Sequence, residues 1–134
     1  MYRFASNPNQ LNIDGFYKTR VGNILKFETH IFTNTLPHQY RINGSIWSSH
    51  QDPNKEDPLI YITGEWLQAG PLLAYLRRGN WYYKGSNVSP DAEADFHFDE
   101  HEKKVKVELR LYHPPGSPTP YNTYRGTKIG GSVR

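Results

Sequence analysis

Lys104-Val105-Lys106-Val107-Glu108-Leu109-Arg110-Leu111 puts an aliphatic side chain at every second position and a charged one at each position between. Successive side chains of an extended chain point to opposite faces, so this octapeptide predicts a β-strand with one apolar and one wet face. The same period of two recurs toward the N-terminus. Residues 24–33 align Leu25, Phe27, Thr29 and Ile31; residues 40–48 align Tyr40, Ile42, Gly44 and Ile46; residues 59–66 align Ile60, Ile62, Gly64 and Trp66. Residues 79–84 carry Trp81, Tyr82 and Tyr83, and residues 94–98 turn Phe96 and Phe98 to one side. At least six strands follow, joined by turn-rich stretches at 35–38, 51–58, 85–90 and 99–102.

Spacing of this kind predicts sequential hairpins, hence an all-β, mostly antiparallel meander, and a meander must hide its edges. Closure into a small β-barrel does so, and a two-sheet β-sandwich is the alternative. The run of hairpins after Asp14-Gly15-Phe16-Tyr17 resembles small lipocalin-type barrels, a calycin-like architecture. One stretch departs from the strand pattern: Pro71 at a helical first position, Arg77 and Arg78 in a last turn and Gly79 just beyond predict a short helix over 71–78. Its apolar side would be Leu72, Leu73, Tyr75 and Leu76. The β domain is expected over 1–113, followed by a Pro/Gly-rich basic tail over 114–134.

A chain of 134 residues fits one core, and a composition only 36% apolar but 14% aromatic, with ten Tyr, six Phe and three Trp, places that core among aromatic rings. The absence of Cys excludes disulfides, thiolate nucleophiles and thiolate metal sites. Neither the opening ten residues nor any other stretch holds an apolar run of leader or membrane-span length, so a soluble cytoplasmic protein without membrane contact is the expectation. The net charge of +3 is unevenly spread. Asp91, Glu93, Asp95, Asp99, Glu100 and Glu102 cluster without a base among them, whereas every charged residue after Glu108 is Arg or Lys.

Candidate chemistry is sparse. His97-Phe98-Asp99-Glu100-His101 has metal-ligand residue types, but a strand carries His97 and Asp99 on its wet face and leaves His101 in the turn, so no metal site is expected. No nucleophile elbow, phosphate loop, dinucleotide fingerprint or zinc-protease motif occurs, and no cofactor is expected. Glu28, His30, Glu65 and Glu108 lie on otherwise apolar strands at positions that face water. If the lumen holds a polar ligand and the faces are reversed, Glu65 is the weak candidate for a catalytic carboxylate. Trp47, Tyr61, Trp66, Trp81 and Tyr83 are the candidate ligand-binding residues, with Trp47 expected to be exposed because it alternates with Ile46. Arg41, Arg77, Arg78 and Lys84 beside Trp47 and Tyr82 sketch a nucleic-acid groove, which the 13 acidic residues dilute.

The expected function is therefore non-catalytic binding of a small hydrophobic ligand in an aromatic-lined β-barrel. An assembly subunit is the alternative, for example a viral or phage particle component, using its tail to contact neighbouring subunits and forming a homo-oligomer. A metal-independent cyclase or isomerase barrel is the third reading.

Overall fold

The computed structural model describes residues 11–31, 40–86 and 90–130. Among these residues the chain forms eight strands: β1 (Gly15–Thr19), β2 (Ile24–Ile31), β3 (Tyr40–Trp47), β4 (Ile60–Gln68), β5 (Leu73–Tyr83), β6 (Asp91–Asp99), β7 (Lys104–Leu111) and β8 (Asn122–Gly130). Each pairs antiparallel with the next and β8 pairs back onto β1, so the sheet closes into a barrel. Closure leaves no open edge for another strand to add to. The barrel, and not the sandwich, is the architecture that the alternating pattern builds. The turn expected at 35–38 lies outside the described residues.

The period of two points the apolar side chains into the lumen. Leu25, Phe27, Ile42, Ile46, Ile60, Ile62, Leu76, Phe96, Val107, Leu109 and Leu111 are all buried. Tyr17, Phe27 and Phe96 meet edge to face in the middle, with ring centroids 5.0–6.1 Å apart. Gly44 makes room for them: a Cβ there would stand 2.9 Å from the Phe27 ring. The outer face is charged instead. Arg110 donates to Glu93, Asp95 and Glu108 at 2.8–3.0 Å, and Arg77 approaches Asp95 at 3.3 Å. Two carboxylates of the acidic stretch, Glu93 and Asp95, are thus paired with bases on β5 and β7. A polar exterior around an apolar lumen is the reverse of a membrane-spanning barrel. No helix among the described residues is long and apolar enough to cross a membrane.

Two expectations about the elements are corrected. Residues 71–78 form no helix; Leu73 onward belongs to β5. The strand carries a β-bulge, seen as register shifts at Leu76/Gly79 toward β6 and at Thr63/Glu65 toward β4. Ala74 and Leu76 face inward before it, Gly79 and Trp81 after it, while Arg77 and Arg78 both fall outside. Arg78 takes a left-handed φ of 50° to make this possible. Gly79 is forced by packing, since a Cβ there would lie 2.4 Å from Leu76 Cδ2 and 2.7 Å from the Ala92 carbonyl oxygen.

The second correction concerns the tail, because Asn122–Gly130 is the closing strand β8. Its inward positions are Tyr124, Gly126 and Lys128, which carry no aliphatic signal. The domain boundary expected at 113/114 therefore cuts through the barrel.

Candidate functional site

The two barrel ends differ in how they are closed. The β1–β2, β3–β4, β5–β6 and β7–β8 connections share one end, the loop end; the entering segment 11–14 and the β4–β5 and β6–β7 turns share the other, the turn end. At the loop end two indoles are tied to loop carbonyls. Trp81 is buried and donates from Nε1 to the Tyr112 carbonyl at 2.8 Å, and it stacks on Tyr121 with centroids 6.2 Å apart. Trp47, expected to be exposed, is only 6% accessible. Although it points away from the lumen, the β3–β4 connection folds over it and accepts its Nε1 proton at the Glu56 carbonyl, 2.8 Å away. Alternation could not reveal a loop that returns to cover the outer face.

At the turn end the entering segment acts as a partial plug. Leu11 and Ile13 are buried in the core, Tyr17 donates its hydroxyl to the Ile13 carbonyl at 2.6 Å, and the Asp14 carboxylate accepts from the Thr29 amide and hydroxyl at 2.8 and 3.0 Å. Burial raises the Asp14 carboxyl above its ordinary range against the opposing pull of those two hydrogen bonds. Lys128 reaches the Asn12 carbonyl at 3.1 Å, and burial lowers its ammonium pKa.

Among the described residues, no segment plugs the side of the turn end formed by β3, β4 and β5. There a pocket of about 400 Å³ is lined by Tyr40, Arg41, Glu65, Trp66, Leu67, Gln68 and Arg78. Tyr40 stands edge-on to Trp66, centroids 4.9 Å apart at 89°. Arg41 and Glu65 are directly paired across β3 and β4, and the bulge brings the Arg78 guanidinium within 3.7 Å of the Glu65 carboxylate. At the rim, Glu65 thus pairs with Arg78, and Arg41 donates to the Thr63 hydroxyl at 3.3 Å. The wall differs: Trp66 Nε1 and Gln68 Oε1 are fully buried and have no hydrogen-bond partner among the described residues. The orientation of the Gln68 amide is fixed, because its Nε2 donates to the carbonyls of Gly70 and Leu73, the latter at 3.1 Å. Its oxygen is thereby the atom left over. One unmet donor and one unmet acceptor thus belong to two lining residues of one pocket, two positions apart on the same face of β4, and both atoms lie just beneath its surface.

A second depression of about 510 Å³ lies on the outer face between Arg78, Asn80, Glu93, Tyr112 and Ser117. Its groups hold one another: Tyr112 donates to Glu93 at 2.8 Å, and Asp91 accepts from the Gly116 amide at 3.0 Å. It presents no unmet buried polar atom among the described residues.

Of the residues singled out from sequence, Trp66 alone lines the 400 Å³ pocket as an aromatic, and Glu65 sits at its rim. Tyr61 is on the outer face, stacked on Tyr82 at 5.6 Å; Tyr83 is exposed against Trp81 at the loop end; Trp47 and Trp81 are closed off by loops. Sequence reading missed Gln68, whose even-numbered position continues the inward series Ile60, Ile62, Gly64, Trp66. That phase was the available signal, since a polar side chain at the inward end of an apolar series marks either a cap or a site. Arg41 and Arg78, read from sequence as part of a nucleic-acid groove, reach the rim of this pocket, Arg78 by way of the bulge. No protein-family model, curated protein or solved structure matches this chain.

Proposed function

We propose that this barrel is a non-catalytic binding protein that holds a small, largely apolar ligand at its turn end, against Tyr40, Trp66 and Gln68. The observation that carries the reading is the unmet pair Trp66 Nε1 and Gln68 Oε1, held just behind the surface of the pocket that their residues line. Burying a polar group without a partner costs about 1–3 kcal/mol, and a protein keeps two together where something else supplies the partners. A pocket of about 400 Å³ falls in the range that small ligands fill. The centre of the lumen is packed with Tyr17, Phe27 and Phe96, which favours a site at the mouth over one in the interior. Glu65, the pocket's carboxylate, is a third exposed and paired with Arg78, which suits a rim group better than an enclosed acid or base.

Native mass spectrometry of protein purified without denaturant tests this. The wild type should carry an adduct of small-molecule mass that the Trp66→Phe/Gln68→Met variant lacks. Bare protein in both samples, or the same adduct on both, would overturn the reading. The assembly alternative draws on a different observation: Leu67, Leu72 and Leu73 at the β4–β5 turn are 40–47% exposed beside the pocket. A bare, discrete oligomer in the same spectrum favours it.

A further inference from the structure

We infer that the ligand of the turn-end pocket presents a neutral amide, its carbonyl oxygen accepting from Trp66 Nε1 and its N–H donating to Gln68 Oε1. The inference rests on the pocket being a ligand site. It follows from the chemistry of what the wall lacks. Indole Nε1–H is a donor only, so its missing partner is an acceptor. Gln68 Oε1 is an acceptor only, and with Nε2 committed to Gly70 and Leu73 the side chain cannot turn over to offer a donor instead. The missing partner there is a donor.

Charged groups fail at one atom or the other. A carboxylate satisfies Trp66 but sets oxygen against the oxygen of Gln68; an ammonium satisfies Gln68 but sets N–H against the N–H of Trp66. The bases that could hold an anion, Arg41 and Arg78, stand at the rim with Glu65 between them and not at the depth of the unmet pair. A single hydroxyl has both capacities but concentrates them on one atom. Trp66 and Gln68 share a face two residues apart on an extended strand, so their backbones are separated by about 6.6 Å. A group whose acceptor and donor sit on two different atoms spans that separation more readily. An amide is such a group, it is planar, and the Tyr40–Trp66 pair gives an aromatic wall for a flat partner. Both unmet atoms are shielded from solvent, so contact with the ligand requires a small displacement of the wall.

The test uses the full chain, labelled with 15N, and three probes of one size: δ-valerolactam (acceptor and donor), δ-valerolactone (acceptor alone) and cyclohexanol (one hydroxyl). The three indole N–H signals are assigned by single Trp→Phe variants. The lactam should move the Trp66 signal and leave those of Trp47 and Trp81, whose protons already go to the Glu56 and Tyr112 carbonyls. It should bind about tenfold more tightly than the lactone, the effect of one unmet buried group. Gln68→Met should abolish that difference while the lactone's own affinity stays within about twofold. Equal affinity for lactam and lactone, with the Trp66 signal moving in both, would overturn the amide and leave the pocket standing. Cyclohexanol binding as well as the lactam would overturn it in favour of a hydroxyl ligand. A Trp66 signal that moves with none of the probes would overturn the amide and count against the pocket itself.

Discussion

Replacing Trp66 by Phe and, separately, Trp81 by Phe should have very different costs, although both indoles are buried and both face the lumen. Each change removes part of an aromatic surface, worth about 1.5–2 kcal/mol at roughly 0.8 kcal/mol per methylene equivalent. At Trp81 the change also strands the Tyr112 carbonyl, which accepts the indole proton at 2.8 Å, and this adds about 1–3 kcal/mol. The expected loss there is about 3–5 kcal/mol. At Trp66 the change removes a donor that has no partner, which returns about 1–3 kcal/mol and leaves the total near zero. The difference between the variants is therefore about 4 kcal/mol. With a urea slope of about 1.5 kcal/mol/M, their unfolding midpoints should separate by about 2.7 M. Far-UV circular dichroism is the suitable signal, because tryptophan fluorescence changes with the substitutions themselves. Equal midpoints for the two variants would mean that the Trp66 proton is already bonded, by Gln68 or by water, and that no unmet donor lies behind the pocket.

Gly79→Ala should cost about 1–3 kcal/mol in the same urea assay, because its Cβ meets the Ala92 carbonyl at 2.7 Å as well as Leu76; a neutral result would mean that the bulge is not tightly packed. Ending the chain at Tyr121 removes β8 and opens the barrel between β7 and β1, so circular dichroism should show loss of cooperative unfolding; a truncated chain that still unfolds cooperatively would contradict closure by that strand. The third concerns acid. Burial pushes the Glu93 carboxyl up, but hydrogen bonds from Tyr112 and Arg110 outweigh it and set the folded value below the ordinary 4.5. The folded state then holds its proton less readily than the unfolded state, so the carboxylate contributes stability above pH 4.5 that is lost as pH falls through the lower folded value. Glu93→Gln should flatten the fall in urea midpoint between about pH 5 and 3, and an unchanged slope would show that Glu93 is not part of it.

Most of the barrel was legible because its central strands obey one rule without interruption. β2, β3, β4, β6 and β7 carry apolar residues at alternate positions, so the lumen-facing series could be read directly. β5 was misread where the rule changes phase: two consecutive outward residues, Arg77 and Arg78, break the period and imitate a helix end with bases before a glycine. β8 was missed because the lumen beside Tyr17 has room only for Gly126, whose added Cβ would already approach Tyr17 Cβ at 3.3 Å. With Tyr124 and Lys128 as the inward positions on either side, the strand shows no aliphatic period. The site was harder still. Trp66 could be found as an inward aromatic, but nothing in the sequence distinguishes it from Trp81; the distinction lies in which loop carbonyl reaches which indole. Gln68 becomes meaningful only once the β4–β5 turn is seen to occupy its amide nitrogen.

A crystal of the protein soaked with δ-valerolactam, compared with an unsoaked crystal, decides whether the turn-end pocket takes an amide. The lactam ring is expected beside Tyr40 and Trp66, its oxygen within hydrogen-bond distance of Trp66 Nε1 and its nitrogen within the same distance of Gln68 Oε1. A water already bonded to both atoms in the unsoaked crystal and undisplaced in the soaked one would rule the amide out.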